Sequence, residues 1–319
     1  MKAAVYYTNG EPDVVRYEDV APPVFGSHDV LIAVAAISVE GGDLHTRRLV
    51  APEQPPVVPG CAAAGVVRAV GAAVTRISPG CHVAAFNHSG SHAELWSVPE
   101  HYVYACPEDL DLTVAATVPV AFGTADDALF EFGHLQPSQT VLIRGATGGV
   151  GIAAVQLAKA AGAQVIATAS TSERAQALRS LGADHIVGYT TRDIVDTVLG
   201  RTERRGVDLL VDMAGGSQLN ELTAAVRYRG TIASVGVNGR PTAIEFYPLV
   251  ARGLTVVGVS FGEEMHSRRV KEMIERHLSS AARRGLTLPI EHVYALADAA
   301  QAHRHAERGH GFGRIVMHP

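Results

Sequence analysis

The sequence predicts an α/β protein of two domains, one β-rich and one built on a doubly wound parallel sheet. Three observations carry this. Residues 1–118 hold short apolar runs separated by Pro and Gly. From about Pro119 apolar strands alternate with Ala-rich helices. One of those strands runs directly into a glycine-rich turn followed by an apolar helix.

Taken in order, residues 1–7 read as a strand, as do the runs 29–36, 65–70 and 82–86, with Val57-Val58-Pro59-Gly60 and Pro79-Gly80 as turn punctuation. Trp96 is read as core packing on a further strand. Residues 140–144 form the first strand of the parallel sheet, and 150–161 its helix, closed by Gly162. Strand 164–168 and helix 172–181, closed by Gly182, repeat the unit. Strands 185–187, 207–212 and 231–235 continue the sheet, and the apolar runs 243–246 and 254–259 read as its last strands. A long polar helix at 267–284 and an end strand at 314–317 follow. The expected boundaries are residues 1–119 with 258–319 for the β-rich domain and 120–257 for the parallel sheet.

A chain of 319 residues with 47% hydrophobic and 18% charged residues can bury two cores. No uninterrupted apolar run reaches the ~18 residues of a membrane span, and no signal peptide is read at the N-terminus, so a cytoplasmic location is expected. The net charge of -5 gives no basic footprint for nucleic acid. Cys61, Cys81 and Cys106 are widely spaced, without a CxxC pair, which argues against a disulfide framework or a structural zinc lobe.

The turn reads Gly145-Ala146-Thr147-Gly148-Gly149-Val150-Gly151, with Ala146, Gly148 and Gly151 at the three small-residue positions of a dinucleotide fingerprint. Small residues let a pyrophosphate approach the backbone, and the helix N-terminus aims unpaired N–H groups at it. An NAD-selecting carboxylate is expected at the end of the second strand, yet that strand ends Thr168-Ala169-Ser170-Thr171, with Arg174 shortly after. Hydroxyls and a guanidinium suit an anionic 2′-phosphate, so NADPH is the expected cofactor.

These residues resemble the zinc-free quinone oxidoreductase, or zeta-crystallin-like, branch of the medium-chain dehydrogenase/reductase superfamily. The likeness runs from Met1-Lys2-Ala3-Ala4 through Pro59-Gly60-Cys61-Ala62-Ala63-Ala64-Gly65 and Ala115-Ala116-Thr117-Val118-Pro119-Val120-Ala121. It continues through the glycine-rich turn, Leu181-Gly182-Ala183-Asp184, Val211-Asp212-Met213-Ala214-Gly215-Gly216 and Gly311-Phe312-Gly313-Arg314-Ile315-Val316. The resemblance implies a GroES-like β domain, a Rossmann domain inserted in it, and an active site in the cleft between them. It also implies that Arg174, Tyr189 and Arg308 hold the 2′-phosphate, and that Thr124, Gly148, Gly149, Val150, Gly236, Val237 and Phe261 line the rest of the cofactor. In the zinc-dependent branch the ligand positions correspond here to Glu40, to Cys61-Ala62 and to the neighbourhood of Phe122 and Gly123, too few donors for an open zinc site unless His82, His88 or His92 is recruited.

Without a metal, hydride transfer suits an acceptor that spreads negative charge: a quinone or an α,β-unsaturated carbonyl. Reduction of an enoyl thioester is the alternative within enzymes, with Arg47 and Arg48 as its basic patch. A non-catalytic NADPH-binding or structural protein of the zeta-crystallin type is the alternative outside them. The chain departs from its relatives in the loop 38–48, where Glu40 and His45 stand in place of Asn and Tyr. His45 is the expected proton donor, with Glu40 as its orienting partner or a substrate contact, and Asp43 as a loop-fixing acceptor. The His-rich stretch 87–92 is a further candidate for the pocket rim. The family also implies a homodimer joined at the last strands of the Rossmann sheet.

Overall fold

The structure is a computed structural model that describes residues 1–236, 243–309 and 311–319. The chain divides into two compact units, Met1–Val120 with Gly262–Pro319, and Ala121–Phe261.

The first unit begins with β1 (Lys2–Val5), β2 (Arg16–Asp19), β3 (Asp29–Ser38), α1 (Gly41–Leu49), β4 (Ala62–Val70), β5 (His82–Phe86), β6 (Leu95–Pro99) and β7 (Val103–Ala105). The chain then leaves through α2 (Leu112–Asp126). The second unit carries β8 (Thr140–Arg144), α3 (Gly149–Ala160), β9 (Gln164–Thr168), α4 (Ser172–Ser180), β10 (His185–Val187), α5 (Thr191–Arg201), β11 (Val207–Asp212), α6 (Gln218–Leu222), β12 (Val226–Ser234), α7 (Phe246–Arg252) and β13 (Thr255–Gly258). After α8 (Phe261–Glu264), the elements α9 (Arg268–Ala282), β14 (Ile290–Ala295), α10 (Ala299–Arg308) and β15 (Arg314–His318) complete the first unit.

In the first unit a seven-stranded sheet runs β14-β15-β3-β4-β5-β7, with β6 also paired to β3. Alternation along β3 buries Val30, Ile32, Val34 and Ala36. Ile32 meets Trp96 across the β3–β6 pair in a core shared with Val67, Val83 and Met317. Each such large apolar side chain contributes about 1.5–3 kcal/mol on burial.

The second unit is a parallel sheet in the order β10-β9-β8-β11-β12-β13. All five residues of β8 are buried, as a strand covered on both faces requires. From β8 the chain winds outward through β9 and β10, then returns to β11 beside β8 and winds the other way. The reversal between β8 and β11 is the topological switch point, and the C-terminal ends of these two strands are where an open parallel sheet binds its ligand.

The structure corrects four readings. The second crossing between units falls at 261/262 rather than 257/258, because Gly258 still pairs with Ser234 in the parallel sheet. Residues 243–245 are irregular and Phe246 opens a helix, α7, in which Pro248 sits in the first turn where it needs no N–H donor. β12 starts at Val226, earlier than expected, because its first residues include the polar run Arg227-Tyr228-Arg229 that hides the strand pattern. The segment expected as a loop, 38–48, is the end of β3 followed by α1.

Candidate functional site

Gly145 makes the sharp turn out of β8 at φ +81°, and its N–H donates to Thr168 Oγ1 of β9 at 3.1 Å. A Cβ at Gly151 would lie 2.4 Å from the Gly145 carbonyl oxygen and 2.5 Å from Ala146 Cα, so only glycine lets α3 pack this closely on the turn. Gly148 caps α3, and a Cβ there would meet nothing nearer than 3.8 Å, which leaves the turn open on the side of the unpaired N–H groups of Gly149 and Val150. Ala146 and Thr147 are buried beneath it. The residues therefore fit a dinucleotide: a cradle of small residues in front of a twelve-residue helix.

At the end of β9, Arg174 Nη1 donates to Ser170 Oγ at 2.7 Å, while Thr171 caps α4 by accepting the Arg174 N–H at 3.3 Å. Tyr189 follows β10 on the same edge and is exposed. Gly236 follows β12, where a Cβ would lie 1.7 Å from the Met213 carbonyl oxygen. Parallel strands thus bring Gly148, Gly149, Val150, Ser170, Arg174, Tyr189 and Gly236 to one edge of one sheet. Thr124 and Phe261 form a second buried group in the same unit, with the Phe261 ring packed over Gly123, where a Cβ would be 2.2 Å from Cζ. Arg308 ends α10 in the first unit and is exposed. Val237 lies outside the described residues.

Glu40 and His45 are not paired with one another. Glu40 is buried, its Oε1 lying 2.6 Å from Arg314 Nη2 and accepting from Ser38 Oγ at 2.6 Å. His45 is exposed on α1. The expected role of Glu40 as orienter of His45 is therefore corrected: its carboxylate is committed to the guanidinium of β15. Asp43 does fix the segment, accepting the Glu40 N–H at 2.9 Å at the start of α1. Burial pushes the Asp43 carboxyl up to about 7, with the Glu40 charge adding to it and hydrogen bonds from Glu40 N–H and the Cys61 thiol opposing it. Burial, and then the Asp43 and Glu40 charges, pushes the Cys61 thiol well up.

These side chains do not fit a catalytic zinc. The Glu40 carboxylate is already committed to Arg314 and Ser38, and no histidine or second thiol among the described residues stands beside Cys61 to complete a set of three protein ligands. Among the described residues no group of three His, Cys, Asp or Glu side chains is placed to hold a metal ion. His92, a candidate for the pocket rim, is instead a core residue of the first unit, its Nε2 3.0 Å from His303 Nε2.

Sequence reasoning missed Arg144 and Asp212, a buried ion pair at the ends of β8 and β11. A charged residue closing each of two strands after a run of three apolar residues was the available signal.

Comparison with known proteins agrees with this architecture. Residues 26–108 match the alcohol dehydrogenase GroES-like domain family, and residues 149–279 match the zinc-binding dehydrogenase family. The quinone oxidoreductase of Mus musculus is 30% identical over 329 residues, covering 99% of this chain and 97% of that protein. The solved quinone oxidoreductase of Pseudomonas syringae pv. tomato DC3000 has a TM-score of 0.94 at 28% identity, covering 100% of this chain and 99% of that one. A mycobacterial structure complexed with NADPH has a TM-score of 0.93 at 28% identity, covering 100% of both chains. The β-rich unit, the parallel sheet and the dinucleotide turn define a medium-chain dehydrogenase/reductase. Within that superfamily the chain belongs to the quinone oxidoreductase branch.

Proposed function

We propose that this protein is an NADPH-dependent oxidoreductase that reduces a quinone or an α,β-unsaturated carbonyl without a metal. The observation that carries the reading is the end of β9, where Arg174 and Ser170 are hydrogen-bonded to one another and residues 168–171 include no carboxylate to accept a ribose 2′-hydroxyl. An anionic 2′-phosphate takes charge-assisted bonds from such a pair. The relatives support the same cofactor and acceptor: one is solved with NADPH and others are quinone oxidoreductases.

The cofactor supplies the hydride when bound. The Gly148 turn and the α3 N-terminus hold the diphosphate, and Arg174 with Ser170 and Tyr189 hold the 2′-phosphate. Thr124 and Phe261 shape the nicotinamide end and exclude water from it. His45 is the proposed proton donor to the reduced acceptor, and Glu40 is the anchor that fixes the start of α1 against β15.

NADPH is expected to bind on the order of tenfold more tightly than NADH, about 1.4 kcal/mol, and Arg174→Ala should abolish that preference. Fluorescence titration of both cofactors checks this; equal affinities in the wild type would remove the reading. His45→Gln should lower kcat on the order of tenfold with NADPH affinity unchanged, and an unaltered pH profile would assign protonation to water.

We propose further that the protein is a homodimer formed at β13. Among the described residues this strand pairs on one side, with β12, and Tyr228, Phe246, Tyr247 and Val250 are exposed in the neighbouring elements. A second copy would pair the open edge and cover these side chains. A monomeric mass by light scattering at micromolar concentration would sink this.

A further inference from the structure

Arg144 is the last residue of β8 and Asp212 the last of β11, the strands on either side of the switch point, and the two are cross-strand partners. Arg144 Nη1 donates to Asp212 Oδ1 and Oδ2 at 3.0 and 3.2 Å and to the Gly215 carbonyl at 2.9 Å, while Nη2 donates to Gln218 Oε1 at 2.6 Å. The Asp212 carboxylate, fully buried, also accepts the N–H groups of Ala214 and Gly215 at 3.0 and 3.1 Å. The main chain of the same two residues ties in the other turns. The Asp212 carbonyl accepts from Val235 and Gly236 at 2.8 and 3.2 Å, and the Arg144 carbonyl accepts from Met213 at 3.1 Å.

One guanidinium therefore ties the end of β8 to the turn that follows β11, beside the main-chain bonds by which Asp212 holds the segment that follows β12. It also cancels the buried negative charge of Asp212, the cross-strand partner of the residue that opens the turn proposed to receive an anionic diphosphate. Lost alone, it would leave Asp212 as an uncompensated buried carboxylate, raising the cost of bringing a second anion close in a low-dielectric site.

We propose that Arg144 is a positioning residue for cofactor binding, holding the ligand-facing turns in register and neutralising Asp212. This rests on the NADPH reading above. Three proteins test it: the wild type, Arg144→Met, and the double variant Arg144→Met with Asp212→Asn. NADPH affinity is titrated by fluorescence, and amide exchange of residues 213–216 and 235–236 is measured without cofactor.

Arg144→Met is expected to bind NADPH on the order of tenfold more weakly or worse, with faster exchange at Ala214 and Gly215. The double variant should regain part of the affinity, since Asn carries no charge and its Oδ1 still accepts one of the two N–H groups that the Asp212 oxygens share out between them. A structural role alone would show its loss and rescue in the unfolding free energy, with the NADPH affinity of the folded single variant left at the wild-type value. Wild-type affinity in Arg144→Met, or a double variant as weak as the single one, overturns the proposal. Should Arg144→Met fail to fold, Arg144→Lys takes its place. It keeps the charge and loses the fork, so exchange at Ala214 and Gly215 should rise while affinity stays within a few-fold; unchanged exchange overturns the latch. A wild type that binds no NADPH would sink the cofactor reading by itself, and amide exchange in the variants then decides the latch.

Discussion

Arg144 and Arg47 are both buried, one in each unit, and their surroundings treat them differently. Arg144 finds acceptors in Asp212, Gly215 and Gln218 for both terminal nitrogens. Arg47 is fully buried and pairs through Nη2 with Glu307, while its Nε and Nη1 meet no hydrogen-bond partner. Close by lies the His92–His303 pair, in which His303 Nδ1 also has no partner. Burial first, and then the Arg47 charge, pushes His303 down to about 3; burial and then His303 push His92 well below the usual histidine range. With both rings neutral, one Nε2 donates and the other accepts. A buried cation is well tolerated where its donors are answered, as at the ligand edge of the parallel sheet. In the β-rich core the same cation leaves donors unanswered and adds to the burial that keeps His303 neutral.

The largest effect expected from this contrast is on Arg144. Arg144→Met should lower the unfolding free energy by about 3–5 kcal/mol, because it strands a fully buried Asp212 carboxylate. Urea unfolding measures it, and a loss below about 1 kcal/mol would erase the distinction between the two arginines.

Next comes the acid response of the histidine pair. A histidine whose folded pKa is depressed stabilises the fold fully above its unfolded value, near 6.5, and loses that contribution as pH falls toward the folded value, about 3 for His303. Each histidine so shifted adds up to about 1.4 kcal/mol of lost stability per pH unit in that window. The double substitution His92→Gln with His303→Gln should flatten this part of the pH dependence. Asp43 contributes with the opposite sign: its folded pKa is raised to about 7, so its contribution is lost as pH rises from the ordinary carboxylate range through 7. That contribution is common to both proteins and cancels in the difference between them. Identical slopes between pH 4 and 6.5 in the two proteins would show that the pair takes up a proton while folded.

Much of the fold was legible because it rests on local periodicity. β8, β9, β10 and β11 lie at their expected residues, and Gly162 and Gly182, with φ of +81° and +114°, stand where helix ends were read from glycine alone. The dinucleotide turn was legible for the same reason, since its glycines are needed by the backbone itself. Glu40 and His45 were misread as partners because their pairing depends on a strand some 270 residues away: Arg314 answers Glu40, and no spacing in the sequence announces it. His92 likewise was read as part of a pocket rim, and the fold instead buries it against His303, 211 residues away in sequence. Arg144 and Asp212 are 68 residues apart and meet only because β8 and β11 are neighbours across the switch.

The smallest expected effect sharpens the contrast most. Arg47→Met removes an ion pair, but Glu307 has a side chain 23% exposed and can recover hydration when its partner leaves. It also removes two buried donors without partners, each costing about 1–3 kcal/mol, and replaces the arginine stem with an apolar chain that fills similar space. The unfolding free energy should therefore stay within about 1 kcal/mol of the wild type near neutral pH, or exceed it. Relief of the Arg47 charge lets the His303 pKa rise, which narrows its gap from the unfolded value and reduces the stability lost on acidification. Burial, the larger cause, remains, so the acid limb shrinks without vanishing. Urea unfolding at pH 7 and pH 5 should thus find Arg47→Met closest to the wild type at the higher pH and gaining on it at the lower. A loss near that of Arg144→Met at pH 7 would mean that the Arg47 donors are answered after all, and the contrast between the two sites would fail.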